Sequence, residues 1–129
     1  MKNLTKQWLD QAQYDFITAK AMLASKRYLY VAYLCQQTIE KDLKAAIVEN
    51  GPKHPPRIHN LTRLAADAGL AEKIAVRWPG LLVDLTPFAI EARYPEYREQ
   101  MNRLLDRAES QNIIRKTGEL HRWLRKPAK

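Results

Sequence analysis

Cysteine is nearly absent. Cys35 is the single one in 129 residues, so an internal disulfide is excluded. Glycine is almost as scarce, with four, and the alternating apolar–polar pattern of a half-buried strand is missing. Both absences point to an all-helical chain. No apolar run approaches the roughly 20 residues needed to span a bilayer, and the N-terminus lacks the apolar core of a signal peptide. A reducing cytoplasm is the expected home. His54, His59 and His121 are dispersed, and with Cys35 they form no metal-ligand spacing, so no metal or other cofactor is expected. Acidic residues are few beside basic ones, 14 against 22, which leaves a formal charge of +8. Such a charge attracts polyanions, so nucleic acid or an acidic protein face is a reasonable partner class; an equally economical account is solubility.

Apolar residues are not scarce, at 46%. They suffice for one helical domain over residues 1–129. The dominant stretch runs from Tyr28 to Gly51. Val31, Cys35, Ile39, Leu43 and Ile47 recur every four residues and give one apolar face to a helix of about six turns. Cys35 lies within that stripe and reads as a buried small hydrophobe, not a nucleophile. A polar ladder of Gln36, Glu40 and Lys44, flanked by Gln37 and Lys41, runs beside it. Asn50-Gly51-Pro52 predicts a left-handed C-terminal cap.

Before it, Trp8, Ala12, Phe16, Ala19 and Leu23 make the stripe of a first helix from about Leu4 to Ser25. Lys26-Arg27 is so short a turn that the two helices must be antiparallel neighbours. Prolines 52, 55 and 56 make a rigid crossing, after which Asn60 is a suitable N-cap for a short third helix closed by Gly69. Leu82, Leu85, Ala89 and Ala92 suggest a helix kinked near Val83 by Pro87. Residues 96–105 fit a loop or a short helix using Tyr97, Met101 and Leu104. Asp106 to Glu109 has the form of a capping box for a last helix, stopped by Pro127, in which Gly118 implies a close helix contact. The fold class is therefore all-α, an up-and-down bundle of about five helices.

The second-helix sequence YVAYLCQQTIEKDLKAAIVENG, the proline loop followed by His59-Asn60-Leu61, Glu91-Ala92-Arg93-Tyr94-Pro95, and the opening Trp8-Leu9-x-x-Ala12-x-x-Asp15 together resemble the HEPN domain over nearly the whole chain. The resemblance implies a small helical bundle, commonly a homodimer. It also implies frequent pairing with a minimal nucleotidyltransferase, often as a toxin–antitoxin module. Many members are metal-independent RNases using Arg-x(4–6)-His across the dimer. Others lack the motif and serve in binding or scaffolding.

Arg115 and His121 match that spacing, with five residues between. Histidine can accept the 2′-hydroxyl proton and arginine can meet the developing phosphorane charge. Lys116, however, stands where the family usually has a small polar residue. Six helical steps also set the two side chains about 120° apart. A second group of residues offers a binding site instead: Gln37, Glu40, Lys41, Lys44, His59 and Arg93, as a polar cluster lining a groove for nucleotide, RNA or a partner protein, or as a buttress of the bundle. Between Arg115 and Lys129, six basic residues face one acid, with Trp123 interleaved. Those charges are either solvated around a packed Trp123 or a contact for phosphate and base. Three functions follow. The first is a binding protein or nucleotidyltransferase partner without a well-formed RNase motif. The second is an RNase toxin using Arg115 and His121, and the third is a purely structural dimerisation module.

Overall fold

The computed structural model describes residues 1–126. Pro127 and Lys129, which the sequence reading used as a helix stop and a tail charge, lie outside them. Among the described residues there are eight helices and no strand: α1 (Asn3–Ala24), α2 (Tyr28–Asn50), α3 (Leu61–Asp67), α4 (Ala71–Arg77), α5 (Leu81–Leu85), α6 (Phe88–Glu91), α7 (Pro95–Leu104) and α8 (Arg107–Arg125). None of these helices is long and apolar enough to cross a membrane.

Three long helices form the frame. α1 and α2 are antiparallel: Thr5 Oγ1 and the Lys2 backbone N–H both donate to Glu49 at the far end of α2. α8 runs antiparallel to α1, since Arg125 donates to the Leu9 carbonyl while Gly118 lies beside Phe16. α8 is therefore parallel to α2, and the five short helices bring the chain back between them. The stripe of α2 is the centre of the core, with Val31, Cys35, Ile39 and Leu43 completely buried.

Local chemistry accounts for several of the boundaries. Asn60 Oδ1 accepts from the Arg63 N–H and Asp106 Oδ1 from the Glu109 N–H, so both predicted caps form. Gly69 closes α3 at φ 74° while the Leu70 N–H reaches back to the Ala65 carbonyl. The end of α2 differs from expectation. Gly51 is extended, at φ −160°, not left-handed. Pro52 keeps its predecessor out of the helical region, and the Asn50 side chain donates to the Ala46 carbonyl.

Pro87 does more than kink its helix. α5 ends at Leu85 and α6 starts at Phe88. Proline has no N–H and crowds the carbonyl four residues back. Thr86 fills the gap: its hydroxyl donates to the Leu82 carbonyl and accepts from the Leu61 N–H. Residues 95–104 are helix α7, with Pro95 in its first turn. Met101 is buried there, whereas Tyr97 and Leu104 are exposed.

Candidate functional site

The α2 ladder is a closed hydrogen-bond cluster. Glu40 is buried. One of its oxygens meets His59 Nδ1 at 2.8 Å and Gln36 Nε2 at 3.1 Å, and the other accepts from Lys44 Nζ at 3.1 Å. Gln36 Nε2 also donates to the His59 carbonyl, and Gln37 Nε2 donates to Gln36 Oε1. Burial pushes the Glu40 carboxyl up, but the bonds from Gln36, His59 and Lys44 outweigh it and hold its pKa below the ordinary value. The cluster ties the start of α3 to the middle of α2. His59 itself stays half exposed at its rim.

Two residues of the expected cluster lie apart. Lys41 pairs with Asp15 of α1. Arg93, at the junction of α6 and α7, donates from Nη2 to Tyr33 Oη at 3.1 Å, with its guanidinium 5.6 Å from the Tyr33 ring. Arg93, Tyr30, Tyr33, Tyr94, Pro95 and Arg98 line an open groove of about 280 Å³. Tyr30 and Tyr94 are exposed, and Pro95 fixes the turn that presents Arg93 and Tyr94. The sequence reading missed the tyrosines. Their signal was present: Tyr33 precedes Gln37 by one helical turn, on the polar face of α2.

The structure does not bring Arg115 and His121 to one place. His121 is buried between α1 and α2, with Nδ1 2.5 Å from Asp42 Oδ2 and Nε2 2.7 Å from Gln13 Oε1. Phe16 packs on its ring at 5.3 Å. Arg115 is exposed on another face of α8, bonded to Asn112 and Glu119. The 120° separation read from the spacing is realised, and no phosphate can touch both groups of one chain. Asp42 was the missed partner; its signal is a carboxylate in helical register with buried Ile39.

Trp123 packs against Trp78, with ring centroids 5.7 Å apart and the Arg77 guanidinium over both. Cys35 is buried, and burial pushes its thiol up to about 12, so it stays protonated at neutral pH. Among the described residues no group of three or more His, Cys, Asp or Glu side chains could hold a metal ion.

A family model, the HEPN domain, matches residues 5–126. The chain belongs to the HEPN family. Among solved structures, the crystal structure of TT1696 from Thermus thermophilus superposes with a TM-score of 0.77 at 22% identity, covering 95% of this chain and 97% of that one. That likeness establishes a shared fold. No curated protein matches the chain at a significant level. The His59–Glu40 cluster anchors the third helix of this HEPN domain, and the Tyr33–Arg93 groove lies open to solvent.

Proposed function

We propose that this HEPN protein binds a nucleotide or single-stranded RNA without cleaving it, through the groove of Tyr30, Tyr33, Arg93, Tyr94 and Arg98. The carrying observation is the pairing of two arginines with exposed tyrosine rings in one open groove. Aromatic faces stack on bases of any sequence, and arginine supplies a fork for phosphate. The buried His121, with both ring nitrogens occupied, supports the non-hydrolytic half of the reading.

Fluorescence anisotropy with a labelled single-stranded RNA tests this. Arg93→Ala and Tyr33→Ala should each weaken binding about tenfold, the scale of one stacked base or charge-assisted bond. The RNA should remain intact throughout. Unchanged affinity in both variants overturns the reading. Metal-free cleavage that His121→Ala abolishes would restore the RNase alternative.

A partner belongs to the same proposal: a second copy of the chain, and a minimal nucleotidyltransferase as the other subunit of a toxin–antitoxin-like pair. The outer face of α1 favours a protein contact. Tyr14 and Ile17 lie one turn apart there at 74% and 57% exposure, and a partner seated on this face would cover both.

A further inference from the structure

The geometry points to a phosphate-binding pocket at the opposite end of the α2 polar face, formed by Lys44, Arg57, His54 and Trp8 and rimmed by Pro55 and Pro56. It would take a phosphomonoester: a free nucleotide's phosphate or the 5′ end of an oligonucleotide. The pocket holds about 260 Å³, and no carboxylate is among its lining residues. Arg57 brings a positive charge, Lys44 an ammonium whose charge is shared with Glu40, and His54 a ring nitrogen. Lys44 is itself buried. One donor is spent on Glu40, and the ammonium sits 5.7 Å from the Trp8 ring centroid. An ammonium has three donors; with one on Glu40 and the Trp8 ring face beside it, a donor is left for a ligand.

The second observation is the indole of Trp8. Its Nε1 is shielded from solvent and has no hydrogen-bond acceptor among the described residues. A buried donor without a partner is unfavourable, and a small rotation of the indole that turned this N–H to an acceptor oxygen in the pocket would relieve it. The rim is stiff, because consecutive prolines fix the backbone between His54 and Arg57. Little ordering is then lost when a ligand binds. These features make a site for a compact anion, and the three terminal oxygens of a phosphomonoester match donors from Arg57, His54 and Lys44 better than the two of a carboxylate do.

The pocket stands on its own residues, but its position deepens the reading of the Tyr33–Arg93 groove. Tyr33 and Lys44 are eleven residues apart on α2, about 20° in azimuth and about 16 Å along the axis. A short RNA with its 5′-phosphate on Lys44 and Arg57 could place a downstream base on Tyr33.

Heteronuclear NMR of the indole N–H signals, with inorganic phosphate, AMP and short RNAs carrying either a 5′-phosphate or a 5′-hydroxyl, tests the pocket. Phosphate or AMP should move the Trp8 signal and leave those of Trp78 and Trp123 in place. Trp8→Phe leaves a smaller aromatic ring without the donor, and its phosphate affinity is read by calorimetry. It and Arg57→Ala, at an exposed position, should each weaken phosphate binding about tenfold. A 5′-phosphate should strengthen RNA binding about tenfold in the wild type and not in Arg57→Ala. A response to AMP with no gain for 5′-phosphorylated RNA assigns the pocket to free nucleotides. RNA binding that depends on Arg93 but ignores the 5′-phosphate, with a Trp8 signal that no probe moves, overturns the pocket and leaves the groove standing. A Trp8 response without RNA binding supports the pocket and defeats the RNA reading of the groove.

Discussion

Glu40 shows how one buried carboxylate can tie a loop to the middle of a long helix. It is buried and surrounded by donors from Gln36, His59 and Lys44. Its folded-state pKa is lowered, so the folded protein holds fewer protons than the unfolded chain as pH falls through the carboxylate range. The stability this provides is present above the ordinary value of 4.5 and is lost below it. The urea midpoint should fall between about pH 6 and about pH 3, and Glu40→Gln should flatten that part of the profile. An unchanged slope in the variant would mean other carboxylates carry the acid sensitivity. The ladder itself was legible, because Gln36, Glu40 and Lys44 are spaced by one turn. His59, expected in one polar cluster with Glu40 and Lys44, closes the ladder on Glu40. That Arg93 leaves the ladder for Tyr33 was not legible, since its place depends on where the α6–α7 junction docks.

At the scale of the element, Gly118 is the most exposed to test. A Cβ there would lie 2.9 Å from Phe16 Cζ and 3.2 Å from Arg122 Nη1. Phe16 cannot easily withdraw, being buried and packed on His121. Alanine would bring about 1 kcal/mol of helix propensity, but overpacking in a filled core costs about 1–3 kcal/mol. Gly118→Ala should therefore destabilise the protein by about 1 kcal/mol in urea unfolding. A gain in stability would show that α1 and α8 can separate freely. The close contact was readable from a glycine inside an otherwise regular helix. The break at Thr86-Pro87 was only half readable. The proline announced a disturbance, but whether the helix bends or ends depended on Thr86 bonding to Leu61.

The whole molecule carries +8, and this sets its two proposed contacts in opposition. Two copies repel one another, so association through the apolar α1 face should strengthen as salt screens the charge. RNA binding should weaken over the same range, because added salt opposes counterion release. Sedimentation velocity at low and high salt checks the first, and Ile17→Asp should reduce association. A dimer that dissociates with salt would place its interface on charged pairs instead of on Tyr14 and Ile17.

The sequence by itself determined that the chain is a helical HEPN bundle, where its long helices lie and which apolar stripe of α2 faces the core. These follow from 3.6-residue periodicity, capping chemistry and proline, all of which act within a few residues. Only the tertiary structure decided which polar groups share a surface. Packing α8 parallel to α2 turned His121 inward onto Asp42, and docking the α6–α7 junction set Arg93 on Tyr33. Folding back the proline loop gathered Trp8, Lys44 and Arg57 around one pocket. The first two encounters join residues 79 and 60 positions apart. Local pattern carries no information about such pairs, because it is the helix packing that creates them.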